Sequence, residues 1–301
     1  MIWGLLLMAN LTAAGSPSAI ESRLVDRLST FPGAMGVFAT RLETGETVAL
    51  NADTRFPTAS LIKTAVMVEV FQQIEAGRLR RDQPVMLSDE VKVGGSGVLH
   101  HLRDARSWSV ADLLYLMIAL SDNTATNLLI GLTGTQAVND RMLALGLRQT
   151  RLYRPTFRDG LADVFPEEEK EYGLGSTTPR EMATLMERIA RGQALSGQAS
   201  REMEALLGQQ QTHELLCRLL PGSEAGVAVA HKTGQDEEKL PGVDGARGSI
   251  RSDAGIVTTP KGRYVIAILT RRVRDLRWTV DNEALVVGAE VSRLVFDHFT
   301  R

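Results

Sequence analysis

A serine and a lysine three residues apart are the first side chains in this chain with catalytic potential. Ser60 and Lys63 follow Pro-Thr-Ala at 57–59, an uncharged segment that places Ser60 at a predicted helix start. On a helix, this spacing brings the hydroxyl and the amine to one face. A lysine whose pKa is lowered by burial and nearby positive charge can accept the serine proton. The pattern predicts acyl transfer through Ser60, the alternative being an ordinary surface pair on one helix turn.

Two more polar segments lie at boundaries between predicted elements. Ser-Asp-Asn at 121–123 separates two apolar helices, and by itself it favours N-capping, since these are preferred cap residues. His-Lys-Thr-Gly at 231–234 ends a predicted strand. One interpretation is a solvated edge strand with a bulge at the glycine. The other is a substrate site, in which the ammonium and hydroxyl bind a carboxylate and the glycine allows close backbone approach.

Composition and charge exclude several classes of partner. The chain has 301 residues, 44% of them hydrophobic, with a formal net charge of -2 and a pI of about 6.3. It has no positive field to attract nucleic acid or an anionic membrane surface, so a small molecule or a peptide is the expected ligand. The single cysteine, Cys217, lies in a stretch with a helical, half-apolar pattern. We expect an inert thiol there, because nothing nearby in sequence marks a Cys/His pair.

The N-terminal residues 1–17 resemble a shortened secretion signal. Residues 1–8 are apolar but too short to cross a bilayer as a helix, and small residues follow at 13–16. The basic residues that usually precede such an apolar run are absent from this sequence. We expect a secreted or periplasmic protein, with a cytosolic N-terminus as the alternative, and no membrane span in the remaining sequence.

Hydrophobic periodicity divides the chain into a sheet lobe, 18–62 with 209–301, and a helical lobe, 63–208. Strand patterns occur near both ends of the chain, and helical patterns fill the middle. The sequence therefore predicts an α/β (α+β) fold, in which an antiparallel sheet flanked by helices carries an inserted all-helical lobe, with a cleft between the lobes. Strands are predicted at 35–42, 47–50, 226–235, 248–259 and 263–272, a last helix at 283–299, and long irregular stretches at 91–108 and 153–177.

The three motifs S-x-x-K, S-D-N and K-T-G occur here in the order found in class A β-lactamases and penicillin-binding proteins. The chain resembles this superfamily over nearly its whole length, including Arg-Ser-Asp at 251–253 on the next strand and Arg154 at the start of a loop. The resemblance implies the β-lactamase/transpeptidase-like fold. It also implies a serine hydrolase that acts on β-lactams or on D-Ala-D-Ala-type amides of peptidoglycan peptides.

The resemblance implies catalytic roles position by position. Ser60 resembles the acylated nucleophile and Lys63 its base partner, while Ser121 resembles the serine that relays a proton to the leaving nitrogen. The backbone N–H groups of Ser60 and Gln235 would form the oxyanion hole. No cofactor is implied. We assign no metal, because His-His at 100–101 has no acidic or cysteine partner at ligand spacing.

The resemblance also implies a set of substrate-binding residues. Asn123 matches the residue that holds the amide of the substrate's side chain. Lys232, Thr233 and Gly234, with Arg251 behind them, resemble the set that binds the substrate carboxylate through charge-assisted hydrogen bonds. These positions predict a carboxylated small molecule or peptide as the ligand.

The chain departs from class A β-lactamases in the loop after Arg154. Those enzymes have a glutamate two residues later that activates the deacylating water, whereas this chain has Thr156. Threonine has no acid-base capacity at neutral pH, so slow deacylation is expected. The loop also contains Glu-Glu-Glu-Lys-Glu at 167–171, which favours a solvated loop, the alternative being a substitute base folded over Ser60. A second turn, at 236–245, is extended as well.

Three functions compete on this basis. The first is β-lactam hydrolysis, which needs rapid water attack on the acyl-serine. The second is a D-alanyl-D-alanine peptidase or transpeptidase, in which another group or an amine acceptor completes turnover. The third is a penicillin-binding or sensing module that is acylated once and stops. We expect a monomer that does not bind nucleic acid.

Overall fold

A computed structural model describes residues 18–103, 106–238 and 247–301 of the chain. The leader predicted at 1–17 lies outside the described residues, and so does most of the turn predicted at 236–245. No helix in the described ranges is long and apolar enough to cross a membrane.

The described residues form helices and strands in alternating groups along the chain. The α-helices are α1 (Ala19–Leu28), α2 (Lys63–Glu75), α3 (Val110–Ala119), α4 (Asn123–Thr133), α5 (Thr135–Ala144), α6 (Pro166–Tyr172), α7 (Pro179–Ala190), α8 (Gly197–Leu207) and α9 (Glu283–Phe299). The strands are β1 (Ala34–Arg41), β2 (Thr47–Leu50), β3 (Phe56–Pro57), β4 (Pro84–Leu87), β5 (Arg106–Ser109), β6 (Arg151–Leu152), β7 (Gly175–Thr177), β8 (Ala228–Glu237), β9 (Ser249–Thr259) and β10 (Gly262–Arg271).

The main sheet is five-stranded and antiparallel, in the order β2-β1-β10-β9-β8. Both faces are covered, and the central strands β9 and β10 are accordingly buried at most of their positions. On β10, Val265, Ala267 and Leu269 belong to the core shared with the helical lobe, whereas Ile266 and Ile268 pack with α1 and α9. This alternation follows from the two-residue period of a strand. The predicted antiparallel sheet with inserted helices is confirmed.

The long helix α2 lies at the centre of the inserted helices and is buried on nearly all sides. It contacts α3, α4 and α5, while α7 packs against β1, β9 and β10 and joins the helices to the sheet. The helix at the C-terminus, Glu283–Phe299, has the predicted bounds, and so does β2. The strand β8 continues two residues beyond its predicted end, to Glu237.

Several segments differ from their predicted conformations. The inserted residues 63–208, predicted as all-helical, also contain the short strands β4 to β7. The glutamate-rich residues 167–171 lie in the short helix α6, because Pro166 at its first turn and the acidic residues after it suit a helix N-terminus. The stretch around Cys217, predicted as helical, is irregular. Its backbone does not form helical hydrogen bonds throughout. The Leu216 N–H, for example, donates to the side-chain Oδ2 of Asp253 at 3.2 Å.

Candidate active site

Ser60 lies in a tight turn between the sheet and the central helix. A 3-10 turn spans Ala59–Ile62, and α2 begins at Lys63, so Ser60 lies just before the α-helix that the sequence predicts near it. Ala59 has φ +44°, a left-handed conformation that costs a residue with a Cβ about 1 kcal/mol or more. Ser60 itself is half-buried, whereas Lys63 is fully buried. The turn therefore holds the hydroxyl at the surface of a cleft and the amine beneath it.

Gly234 lets strand β8 lie directly against this turn. A Cβ at Gly234 would lie 2.3 Å from the Thr58 carbonyl oxygen and 2.9 Å from the Leu61 nitrogen. The pairing of β8 with β9 runs through Gly234 and Ser252 without interruption, so the glycine is not a bulge. Gly234 thus allows β8 to approach the backbone around Ser60 closely.

Lys63 is the centre of a hydrogen-bond network that joins two of the motifs. Its Nζ donates to the Ser121 carbonyl at 2.6 Å, to Ser121 Oγ at 3.1 Å and to Asn123 Oδ1 at 2.8 Å. Lys232 Nζ donates to the same Ser121 Oγ at 3.2 Å. Ser121 Oγ thus lies between two amines. Within the described residues, no hydrogen bond joins Lys63 Nζ to Ser60 Oγ.

The conformation of Ser121 depends on the capping of α4. Ser121 has φ +55°, and Asp122 after it is the N-cap, accepting from the Ala125 N–H at 2.9 Å. The other carboxylate oxygen of Asp122 accepts from the backbone N–H groups of Val98 and Leu99 at 2.7 and 2.9 Å. These bonds hold the backbone at 98–99, on the opposite wall of the cleft, against the start of α4. The N-capping interpretation is correct for Asp122, and the same turn directs Ser121 toward Lys63.

Burial lowers the pKa values of both lysines, and repulsion by Lys232 adds to the shift of Lys63. The pKa of Lys63 lies well below its ordinary value of 10.5, first because the amine is fully buried and then because of the charge on Lys232. Asp122 opposes this shift. Burial lowers the pKa of Lys232 to about 7, against the attraction of Asp253. The lowered pKa of Lys63 favours the neutral amine, the form that can accept a proton.

Asn123 joins the wall of the cleft to Lys63. Its Oδ1 accepts from Lys63, and its Nδ2 donates to the Gly94 carbonyl at 3.1 Å. Its backbone N–H donates to the Ser96 carbonyl at 3.0 Å. Gly95 has φ +76°, and a Cβ there would lie 2.8 Å from Asn123 Nδ2. One N–H of the Asn123 amide remains for a ligand.

A cavity of about 290 Å³ opens above Ser60. Its aromatic residues, Phe157 and Trp278, are 59% and 60% exposed and were not singled out from the sequence. No motif marks either residue, because only the tertiary fold brings them to the cavity. The cavity is lined by Ala59, Ser60, Gly95, Ser96, Asn123, Arg154, Thr156, Phe157, Asp159, Leu174, Gln235, Asp236 and Trp278.

Thr156 lines the cavity at the position where class A enzymes have their glutamate. Its N–H and its hydroxyl both donate to Asn127 Oδ1, at 2.8 and 2.9 Å, and the Asn127 amide donates back to the Thr156 carbonyl at 3.1 Å. The side chain is 5% exposed. A side chain without acid-base capacity is thus held firmly at this position.

The four glutamates of the loop are paired away from Ser60, and none of them lines its cavity. Glu167 pairs with Lys170, Glu168 with Arg55 and Arg151, Glu169 with Arg154, and Glu171 with Arg271. Among the described residues, the acidic ones that line the cavity are Asp159 and Asp236. Asp159 forms an ion pair with Arg154, which also binds Glu169. Asp159 was not predicted as a site residue, although it follows Arg154 by five residues in the same loop.

Arg251 lies behind the end of β8 and does not line the cavity. Its guanidinium donates to the carbonyls of Asp236, Ile250 and Arg277 at 2.8 to 3.0 Å and stacks 4.2 Å from the centre of the Trp278 ring. Among the described residues, these bonds use three of its five N–H groups. Burial lowers the pKa of Arg251 from its ordinary value.

The remaining predicted residues lie on β8 beside Ser60. Lys232 also donates to the Thr233 carbonyl at 2.8 Å, and Thr233 is 6% exposed. Gln235 lines the cavity, pairs with Arg251 across the sheet and donates from Nε2 to Glu214 at 3.1 Å. The structure therefore brings residues from all three motifs to one cleft between the sheet and the helices.

Comparisons with known proteins agree with this architecture. A model of the "Beta-lactamase enzyme family" matches residues 19–299. A β-lactamase of Streptomyces fradiae is 30% identical over 293 residues, which cover 96% of this chain and 89% of that protein. A β-lactamase of Sphaerobacter thermophilus DSM 20745 has a solved structure with a TM-score of 0.78 and 30% identity, covering 93% of this chain and 97% of that one. PBP-A has a TM-score of 0.78 and 26% identity, covering 96% and 98% of the two chains.

The antiparallel sheet with inserted helices and the cleft between them define the fold class shared by β-lactamases and penicillin-binding proteins. The chain belongs to the β-lactamase enzyme family. Membership confirms the predicted resemblance and supports hydrolysis of amide bonds of the β-lactam type.

Proposed function

We propose that the protein is a serine hydrolase that opens a β-lactam ring, or cleaves a D-Ala-D-Ala-type amide, through an acyl-Ser60 intermediate. The observation that carries this proposal is the hydrogen-bonded series of Lys63, Ser121 and Lys232 beneath a cavity that Ser60 lines. Such a series can take a proton from a nucleophile and return it to a leaving group, which is what acyl transfer needs.

Acylation begins with proton transfer from Ser60 Oγ to the neutral Lys63 amine. Oγ then attacks the amide carbonyl, and the backbone N–H groups of Ser60 and Gln235 stabilise the oxyanion. The C–N bond breaks as Ser121 donates its proton to the leaving nitrogen, and Lys63 returns a proton to Ser121. The products of this step are the acyl-Ser60 ester and a neutral amine, whose nitrogen has gained the one proton that Ser60 lost, while Lys63 and Ser121 are restored.

The carboxylate of the substrate would bind at the end of β8. Lys232 and the Thr233 hydroxyl supply donors there, and Arg251 adds positive charge from behind the strand. Charge-assisted hydrogen bonds of this kind are about twice as strong as neutral ones. Asn123 offers its remaining amide N–H to the amide of the substrate's side chain, on the other side of the cleft.

Replacing Arg251 with alanine should lower kcat/KM for carboxylated substrates by an amount equivalent to about 1.5 to 3 kcal/mol. The comparison is between a cephalosporin and its methyl ester, measured on both proteins. The ester should lose much less, because it has no charge for Arg251 to attract. Equal losses for acid and ester would mean that Arg251 only supports the carbonyls and the Trp278 ring that it contacts.

Deacylation is proposed to be slow. Water attack on acyl-Ser60 needs a base near the ester carbonyl, and Thr156 cannot act as one. The glutamates of the loop form ion pairs with arginines and with Lys170, and none of them lines the Ser60 cavity. Asp159 lines the cavity but is bound to Arg154, which stabilises its carboxylate as an ion pair.

A chromogenic cephalosporin should therefore give a burst of about one equivalent per enzyme, followed by a slow steady state. Thr156→Glu should raise the steady-state rate, since it adds a base on the side of the ester that the loop covers. Stopped-flow absorbance measures both phases. Asp159→Asn is the matched control, because it removes the acidic group of the loop that lines the same cavity.

Two results would contradict slow deacylation. One is rapid turnover without a burst in the parent protein. The other is a steady-state rate that falls in Asp159→Asn, or in a Glu-to-Gln variant at 167, 168, 169 or 171, since this would identify a relocated base.

A D-Ala-D-Ala peptidase and a penicillin-binding module that does not turn over remain the alternatives. The match to PBP-A bears on both, since a solved structure of a single-residue variant of that protein is an acyl-enzyme complex with penicillin G, at 27% identity to this chain. Intact-protein mass spectrometry over time, with a penicillin and with a D-Ala-D-Ala peptide, distinguishes them. A peptidase cleaves the peptide repeatedly, whereas a sensing module keeps the penicillin adduct and leaves the peptide intact.

A further inference from the structure

A second group of reactive side chains lies outside the Ser60 cavity. His231 Nε2 is 3.3 Å from His213 Nδ1 and 3.4 Å from Cys217 Sγ. These three atoms all lie within 4.8 Å of one another, and none of the three residues lines the Ser60 cavity. The proposed acyl transfer uses none of them, so their convergence needs another explanation.

Asp253 fixes the orientation of His231. Its two carboxylate oxygens lie 2.9 and 3.0 Å from His231 Nδ1, and both residues are fully buried. A carboxylate only accepts, so Nδ1 donates to Asp253, and Nε2 on the other side of the ring faces His213 and Cys217. Carboxylate–histidine pairs of this kind orient the histidine ligands of metal ions in proteins.

The segment that carries the other two side chains is anchored on both sides. The Leu216 N–H donates to Asp253 Oδ2 at 3.2 Å, and Ser292 Oγ donates to the Leu216 carbonyl at 2.9 Å. The side chains of Leu215 and Leu216 are buried. His213 and Cys217 are thus held in place by a rigid backbone, and little freedom would be lost when they bind a ligand.

The distances from His231 Nε2 to the other two atoms suit a tetrahedral ion. With Zn–N distances of about 2.0–2.1 Å and a Zn–S distance of about 2.3 Å, tetrahedral ligands lie about 3.3 to 3.6 Å apart. The two separations from His231 Nε2, 3.3 and 3.4 Å, fall in this range. A proton on Nε2 can bond to only one of its two neighbours, whereas a cation can bind all three atoms at once.

We propose that His213, Cys217 and His231 form a binding site for a divalent transition-metal ion, with Zn²⁺ as the best fit. Two imidazoles and a thiolate select such an ion over Ca²⁺ or Mg²⁺, which prefer oxygen ligands. His213 is exposed and Cys217 half-buried, so the ion can enter from solvent and a water molecule can supply the fourth ligand. Binding converts the Cys217 thiol to a thiolate and releases its proton to solvent.

The sequence analysis assigned no metal and expected an inert thiol. His213 and Cys217 lie on one irregular segment and His231 lies on β8, and only the fold brings the two segments together. The site is independent of acyl transfer, so either proposal can fail without the other.

The test uses the full chain without an affinity tag, titrated with Zn²⁺ alone by calorimetry and with Co²⁺ alone by absorption spectroscopy. The parent protein should bind one ion per chain and show a thiolate-to-cobalt charge-transfer band. Cys217→Ser should lose this band, and both Cys217→Ser and His213→Gln should bind Zn²⁺ about tenfold or more weakly. The matched control is His298→Gln, because His298 contacts Glu46 far from the cluster and its loss should change nothing.

The proposal is overturned if the parent protein binds neither ion, or if Cys217→Ser binds Zn²⁺ as tightly as the parent. The rate at which iodoacetamide alkylates Cys217 in the parent protein, with and without Zn²⁺, is a second measurement that needs no variant. Zn²⁺ should protect Cys217 from alkylation. Rapid alkylation that Zn²⁺ does not slow would instead identify a reactive thiol paired with His231.

Discussion

Ser60→Ala is expected to show no covalent adduct with penicillin G under conditions that label the parent protein fully. The hydroxyl of Ser60 lines the cavity at the start of the central helix, above the buried amine of Lys63. Without Oγ no ester can form, so the loss should be complete rather than partial. Intact-protein mass spectrometry measures the fraction labelled.

Ser96→Ala is the matched control for this experiment, because Ser96 is the other serine that lines the cavity. It should be labelled like the parent protein, with the adduct mapped to Ser60 by peptide analysis. An adduct on the Ser60→Ala protein, or one mapped to Ser96, would remove Ser60 as the nucleophile.

Lys63→Ala should slow acylation by about 10³ or more, since removing the base partner of a nucleophile typically costs that much. The buried amine holds Ser121 and Asn123 through three hydrogen bonds, so thermal unfolding must be measured alongside the acylation rate. Lys170→Ala is the control, because this exposed lysine pairs with Glu167 outside the cavity. Acylation of a folded Lys63→Ala protein at the parent rate would make Lys63 purely structural.

The pH profile separates a base from a structural lysine. The proton of Ser60 can move only to neutral Lys63, so the acylation rate should rise as pH increases through the pKa of this amine and then level off. Burial and the charge of Lys232 hold that pKa well below 10.5, so the plateau should be reached at a lower pH than for a lysine with an ordinary pKa. A rate that still rises up to about pH 10 would indicate a lysine with an ordinary pKa.

The elements that the sequence predicts best are those with strong local signals. The hairpin strand β2 and the last helix α9 have the predicted bounds, because turn residues and a helical period mark them clearly. Strands such as β3, β6 and β7, with two or three residues each, are too short to show any period. The helix α6 was missed, although Pro166 before three glutamates is a helix-start signal.

The candidate site was predictable where chemistry is encoded in short motifs. The motif residues on α2, at the start of α4 and on β8 meet in one cleft, and Ser121 bonds to both lysines. The partners of the loop glutamates were not predictable. Glu168 and Glu169 pair with arginines that only tertiary packing brings near, and Glu167 pairs with Lys170 through a turn of α6, a helix that was not predicted. The same holds for Cys217, whose contact with His231 joins two separate segments.

The arrangement of the main sheet has a consequence for folding. The inner strand β1 pairs with β2 beside it in sequence, but its other neighbour is β10, so Ala34 is paired with Arg271 near the far end of the chain. Contacts between such distant residues raise contact order and slow folding. During synthesis, β1 has no partner on that side until nearly the whole chain has left the ribosome. Because β8 must dock on β9 to place Lys232 against Ser121, the catalytic cleft should be among the last parts of the molecule to form.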